Sequence, residues 1–446
     1  MTTFKLTAAS LITAAFINAA GFAATQDAQV REDVAKAVSP AAEQAPAAQD
    51  ELPPKWYETE SLFLEAVTPP ALSDNGFTPI LSWTGELWSN MGGGMERGTI
   101  WDSLFTVGFE QDFSKLFKKD NLGALGLNFF YYADAKGFDN YLSGYSSPSN
   151  IMSGHMTRFF EIFYANEFEV GDGALGFRVG QLAADEDFMG MDYSDVFLNS
   201  NFGAMPAIAG TNLVGGERVA FSQYALATLG LVTYYNLNDF QAKIGVYNGD
   251  AGRDISSNHG FDYELQGVAL WYQLTPKYVV CGREGMAVFG GNYHSGKFEN
   301  NYTGNSERNY YSFFLNFQQD FLLNAEGEKV LGGFVRLGWA PNEDIAEFTK
   351  YADFGLNWFA PIAGRSDDIA AVGVSIMERG AGARSKARAA GEDDRRWETC
   401  IEFTYKAQVT PAISLQPVLQ LYFNPTSDNG DDRTAIVGGA RVEVNF

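Results

Sequence analysis

From about residue 80 to Phe446 the chain alternates apolar and polar side chains in run after run, and the runs are separated by turn-forming residues. A period of two belongs to the β-strand, whose successive side chains point to opposite faces. Runs of this kind fall near 80–90, 100–113, 122–134, 156–169, 174–183, 225–237, 239–249 and 262–275. They continue near 283–296, 308–323, 330–340, 350–361, 367–378, 397–410, 412–424 and 434–446. That is about sixteen strands, each near the roughly 9–11 residues a tilted strand needs to cross a bilayer.

The connections sort themselves by length. Short ones at 171–173, 236–239, 324–328 and 410–412 alternate with long ones at 135–155, 184–224, 250–261, 297–307 and 379–396. Short turns at one end and long loops at the other describe a transmembrane β-barrel, with the turns periplasmic and the loops extracellular. A soluble sandwich has no reason to sort its loops by parity. The two faces agree with this reading. In "ISLQPVLQLYF" the residues Ile413, Leu415, Leu419, Leu421 and Phe423 form one face, and Ser414, Gln416, Gln420 and Tyr422 stand on the other. Amides and charges of both signs along one face suit a wet lumen, and about sixteen strands make a barrel wide enough for one. Pro417 would cost this strand a ladder hydrogen bond. The last strand, "TAIVGGARVEVNF", ends on an aromatic of the apolar face, Phe446, as outer-membrane barrels characteristically do where assembly machinery reads them.

Composition narrows the partners. With 36 Phe, 21 Tyr, 8 Trp and 47 Gly the chain favours strands and turns, and a net charge of −24 speaks against nucleic acid. Three His and two widely separated Cys offer little to a metal and no cofactor motif, and Cys281 and Cys400 are expected to be free thiols. Residues 1–23 read as an export signal, with Lys5 followed by the apolar stretch Leu6 to Ala20 and small residues at Gly21 and Ala23. Residues 24–70 are an Ala-, Pro- and Gln-rich linker and pre-barrel segment, and 71–446 the barrel.

Several stretches together resemble the carbohydrate-selective porins, the OprB-like family of Gram-negative outer membranes. They are "NMGGGMERG" (90–98), "FEQDFSKLF" (109–117), "LGFRVGQLAADEDF" with "VFLNSNFG" (175–203) and "FQAKIGVYNGDAGRD" (240–254). "GFVRLGWAP" (333–341), "YADFGLNWFAPIAGRSDDIAAVGV" (351–374) and the C-terminal hairpin complete the set. In place of the family's Gly-rich opening motif with Trp and Arg stands "WYETESLFLEAVTPPALSDNG". The resemblance implies passive diffusion of mono- or oligosaccharides through the barrel, in an outer membrane with its lipid and lipopolysaccharide. It leaves room for a homotrimer.

A sugar pore needs charged groups that hydrogen-bond hydroxyls and aromatic faces for pyranose C–H groups. By parity Arg178, Glu161 and Arg336 point into the lumen near a constriction, with Gln181 close by, and Arg441 and Glu443 face it near the periplasmic mouth. The longest loop, 184–224, is the candidate inward constriction, made acidic by Asp185, Glu186 and Asp187. The bland alternative for each charged residue is a wall residue paired with another wall residue. The acidic stretches 426–433 and 249–254 read as solvated turns rather than Ca²⁺ loops, the first lacking the closing Glu. The basic loop 380–396 could meet lipopolysaccharide phosphates. No His sits beside a companion catalytic motif, so an enzyme is not expected. A general porin, or a plugged structural or adhesive barrel, is the competing reading.

Overall fold

The computed structural model describes residues 59–446 apart from 134–137, 139, 143, 153, 393 and 426–433, so the export signal, the linker to residue 58 and the acidic turn 426–433 lie outside the described residues. Sixteen antiparallel strands close into one barrel, each pairing with its neighbours in sequence and β1 with β16. The first eight are β1 Phe77–Gly93, β2 Gly98–Asp112, β3 Ala124–Ala133, β4 Met156–Val170, β5 Gly173–Leu182, β6 Thr228–Leu237, β7 Phe240–Asn248 and β8 Val268–Val280. They are followed by β9 Arg283–Glu299, β10 Ser306–Leu323, β11 Lys329–Trp339 and β12 Phe348–Phe359. The circle ends with β13 Ile369–Arg379, β14 Trp397–Thr410, β15 Ile413–Phe423 and β16 Thr434–Asn445. Closure leaves no free strand edge.

The turn chemistry explains which ends are tight. Between β8 and β9 only Cys281 and Gly282 remain, both in left-handed backbone with φ of 52° and 72°. Such paired positive angles match the twist of the flanking strands. Asn238, φ 49°, does the same between β6 and β7. One end departs from the expected parity: β2 and β3 are joined by eleven residues, 113–123, which include the short helix Phe113–Phe117 capped by Asp112. The β8 strand runs later than its alternation suggested, because Lys277 through Val280 still pair with β9.

Alternation separates two faces. Leu87, Trp101, Val179, Leu231, Ile244, Phe289, Phe354 and Ile436 stand exposed on the outward face, whereas Glu86, Arg178, Asn316, Arg336, Glu402 and Arg441 are buried on the inward one. An apolar face in the open and a charged face inside invert a soluble protein's arrangement and suit a barrel surrounded by lipid. Among the described residues no helix is long and apolar enough to cross a membrane. At Pro417 the β14–β15 ladder passes from Thr404–Val418 to Ala407–Leu415, and the Thr404 hydroxyl donates to the Pro417 carbonyl (3.4 Å). Before β1, Leu62 donates its N–H to Asn445 O (3.0 Å) and the Phe63 ring lies 5.8 Å from that of Phe446. The chain's two described ends therefore meet at one rim. Cys281 is an exposed and Cys400 a buried free thiol.

Candidate functional site: the inward wall and the segments laid on it

The connection between β5 and β6, residues 183–227, is stitched to inward side chains from β4 round to β15. Glu161 of β4 accepts from Ala183 N–H (3.0 Å), and Gln273 of β8 accepts from Met189 N–H (3.0 Å). Amides of the wall then donate to the segment's carbonyls. Asn316 reaches Met189 O (2.9 Å), Asn357 reaches Tyr193 O (3.1 Å) and Gln416 reaches Val196 O (2.6 Å). On β14 the Glu402 carboxylate takes both Leu198 N–H (2.7 Å) and Asn199 N–H (2.8 Å). Farther round, Asn292 reaches Ile208 O (3.0 Å) and Tyr310 reaches Ala207 O (2.9 Å). His294 Nε2 donates to Ala220 O (3.1 Å) while its Nδ1 accepts from Gly296 N–H (2.9 Å), which fixes the tautomer.

Packing supports the same seat. The Phe197 ring stacks on Phe202 (4.5 Å) and meets Phe334, above the inward glycines Gly355 and Gly373. A Cβ on Gly373 would come within 2.7 Å of Phe197, so the bare backbone there is the socket for that ring. Phe188 stacks on Trp271 (5.6 Å) in the same manner. A segment with this many buried polar and aromatic contacts is part of the wall's structure, since each buried backbone group it presents must find a partner.

The residues singled out from sequence take their places as follows. Arg178 is 5% exposed and holds Glu161 (2.9 Å) with one nitrogen and Asp187 (2.8 Å) with another, its guanidinium lying 4.1 Å over the Phe163 ring. Glu161 reaches the inward side through a bulge: the β3–β4 register shifts between Leu127–Ile162 and Phe129–Phe159, and Phe160 and Glu161 are both buried. Gln181 does not join them. It pairs with Ile162 and Leu229, on the row of the exposed Leu229, and its amide donates to the bulge carbonyls of Phe159 (3.1 Å) and Phe160 (2.8 Å). Arg336 grips Asp353 directly opposite it (3.0 Å) and donates to Asn201 O (3.2 Å) and Gly203 O (3.1 Å).

Arg441 faces Glu86 across the closing seam (2.5 Å) and reaches Ser149 (3.3 Å) and Asn150 (2.5 Å). Glu443 accepts from Ser414 (2.8 Å) and Lys406 (3.0 Å). Asp185 accepts from Tyr224 N–H (2.8 Å), and burial pushes its carboxyl up to about 7. Burial and then Asp185 push Glu186 up as well. Asp195 is raised to about 7 by burial and then by Asp192.

Three features were not read from the sequence. The partners Asp353 and Glu86 lie opposite their arginines only once the register is known. Asp187 closes the clamp on Arg178. The stretch 144–152 of the next-longest connection also lies on the wall, where Glu398 accepts from Tyr145 N–H (2.8 Å) and Ser146 N–H (3.0 Å), and Gln420 donates to Pro148 O (2.8 Å). Loop length is the sequence signal for this second segment as well. Among the described residues no group of His, Cys, Asp and Glu could hold a metal ion.

The high-pH structure of Pseudomonas putida OprB matches this barrel with a TM-score of 0.75 at 19% identity, over 87% of this chain and 99% of that one. The low-pH structure of the same protein matches with a TM-score of 0.55 at 15% identity, over 87% of this chain and 99% of that one. A mutant of the Rh. blastica porin gives 0.45 at 12% identity, over 83% of this chain and all of that one. No curated protein matches in sequence. The sequence profile described as "Carbohydrate-selective porin, OprB family" matches residues 102–446. A profile that spans β2 to the last residue covers most of the chain, and the protein belongs to the carbohydrate-selective porin, OprB family.

Proposed function

We propose that the protein is an outer-membrane porin through which small sugars diffuse passively, and that the segment 183–227 narrows its passage from within. The observation that carries this reading is how the inward charges are spent. Arg178, Arg336 and Arg441 are buried and committed to carboxylates and to the carbonyls or side chains of the overlying segments. They act as anchors of the constriction rather than as its solute-facing surface. What the segment leaves exposed over residues 184–204 is small and acidic: Gly190, Asp192 and Gly203 are exposed and Asp195 half-buried. A neutral polyol passes such a rim by exchanging water for carboxylate and backbone hydrogen bonds, with no energy input and no bond made or broken. The family supports sugars as the solute and a channel rather than an enzyme. Residues 1–23 serve as the cleaved export signal, and Phe446 as the feature that assembly machinery reads.

The test is single-channel conductance of the refolded protein in a planar bilayer, titrated with mono- and oligosaccharides. Discrete steps that sugars block saturably are expected. Steps without saturable block would make it a general porin, and silence from folded, inserted protein would remove the channel reading.

A further inference from the structure

A β-bulge at the rim of the long loops sets two cations side by side on the outward face. β9 and β10 pair Tyr293 with Tyr311 and His294 with Tyr310, then shift register and resume with Lys297 opposite Arg308 and Phe298 opposite Glu307. Tyr310 and Phe298 are buried against each other and near His294 on the inward side. Strict alternation counted from Tyr310 would turn Arg308 inward with it. Ser295 and Gly296 of β9 stand opposite Asn309 alone, whose left-handed backbone (φ 75°) reverses the alternation of β10, and Arg308 emerges beside Lys297 with both side chains exposed. Bulges characteristically re-aim a side chain in this way, and asparagine tolerates the left-handed region better than most residues.

The arrangement is unfavourable by itself, since like charges directly opposite on neighbouring strands repel. Carboxylates are abundant in a chain of net charge −24, yet among the described residues neither Lys297 nor Arg308 makes an ion pair. Glu299, two residues along, is engaged by Lys386 (2.7 Å), and Arg308 reaches only the Ser295 carbonyl at 3.5 Å. Elsewhere on the same rim the cations Lys350 and Arg396 share the Glu378 carboxylate (2.8 and 2.5 Å). Immediately toward the barrel's waist stand Tyr293, Tyr311, Phe313 and Trp339, all exposed on the outward face. Tyr and Trp at this position mark the level where hydrocarbon gives way to headgroups. The two cations therefore sit one step beyond the hydrocarbon edge.

We propose that Lys297 and Arg308 dock a phosphate group of an anionic lipid of the outer leaflet, a phosphorylated glycolipid whose tails lie along the outward aromatic band. A phosphate between them turns the repulsion into two charge-assisted contacts. This rests on the outer-membrane placement proposed above.

The probe is bisphosphorylated lipid A added to the folded protein in a neutral detergent, with bound lipid counted by native mass spectrometry. The protein is expected to retain it and to lose about tenfold in affinity for the same lipid stripped of its phosphates. The variant Lys297→Gln with Arg308→Gln is expected to lose about tenfold for lipid A. It should melt no lower than the parent in lipid-free detergent, because it removes a repulsion. Lys119→Gln with Lys277→Gln, the same charge change among exposed residues of the opposite rim, is expected to leave retention unchanged. Equal retention by the Lys297/Arg308 variant, or equal retention of the phosphate-free lipid, would overturn the docking site. Displacement by inorganic phosphate alone would also overturn it, by marking the pair as a site for soluble anions. Insertion into bilayers is scored separately, so a failed membrane placement is not mistaken for a failed docking site.

Discussion

At the scale of single residues, the charges that look most like a solute site are the ones holding the wall together. Arg178 joins two strands and the overlying segment through Glu161 and Asp187, and all three side chains are largely buried. Removing one member of such a cluster leaves uncompensated buried charge, so Arg178→Gln is expected to destabilise the barrel by about 3–5 kcal/mol. Urea unfolding, followed by the loss of the folded form's gel mobility, measures this; a change too small to detect would mean the cluster is bypassed by water. Asp185 makes a different prediction. Its carboxyl titrates near 7 when folded, against an ordinary value of 3.8. Between those values the folded segment holds a proton that the detached segment has released, so its attachment weakens as pH rises from about 4 to about 7. Backbone hydrogen exchange over residues 183–190, corrected for intrinsic rates, should be faster at about pH 8 than at about pH 5. Asp185→Asn should flatten that difference, and an unchanged difference would assign it to Glu186 or Asp195 instead.

At the scale of elements, the contest is between what a strand wants and what the segment laid on it needs. Gly373 is a weak strand residue kept for the Phe197 ring, whose atoms would lie 2.7 Å from an added Cβ, with Phe202 at 2.9 Å. Gly373→Val should therefore leave the barrel intact, valine being the better strand former, while lifting the 197–202 stretch off the wall at a cost of about 1–3 kcal/mol. Conductance per channel is the readout: it is expected to rise, and an unchanged step size would show that this stretch does not border the passage. The strands themselves were legible because alternation is a local signal, repeated independently in each run. Register is not local. Arg336 gave its inward direction from its neighbours Val335 and Leu337, but nothing in the sequence around it points to Asp353 on the next strand. The bulge at Phe160 and Glu161 was equally silent, and it is why Glu161 and Phe160 face the same way although parity sets them apart. Gln181 stands three residues from Arg178, an odd step on a strand that reverses the face. Length alone marks 184–224 as the candidate inward segment. Which wall groups hold it depends on closure of the whole circle.

At the scale of the whole molecule, the balance of charge decides what the passage favours. The buried arginines of the wall are matched by carboxylates, Arg178 by Glu161 and Asp187, Arg336 by Asp353 and Arg441 by Glu86. The inward lysines are likewise committed, Lys243 to Asp187 O (2.5 Å) and Lys406 to Glu443 (3.0 Å). Cancelling these pairs leaves the acidic excess of a −24 chain, part of it on the exposed edge of the 183–227 segment at Asp192 and the half-buried Asp195. Rings or edges of carboxylate in a confined passage raise the local concentration of cations and repel anions. In a KCl gradient across a planar bilayer at about pH 8, above the raised value of about 7 for Asp195, the reversal potential is therefore expected to carry the sign of K⁺. Asp192→Asn with Asp195→Asn should move it toward zero at low ionic strength, and by less at high salt, where screening already shortens the reach of these charges. Saturable block by a neutral sugar should respond differently, because an asparagine amide still offers hydrogen bonds to hydroxyls where it no longer attracts ions. A variant that loses ion preference and keeps sugar block would separate the two properties at this edge. Loss of both together would mean that the same carboxylates order the sugar, and loss of neither would move the selective edge to the 144–152 stretch, which lies beside this segment over β14 to β16.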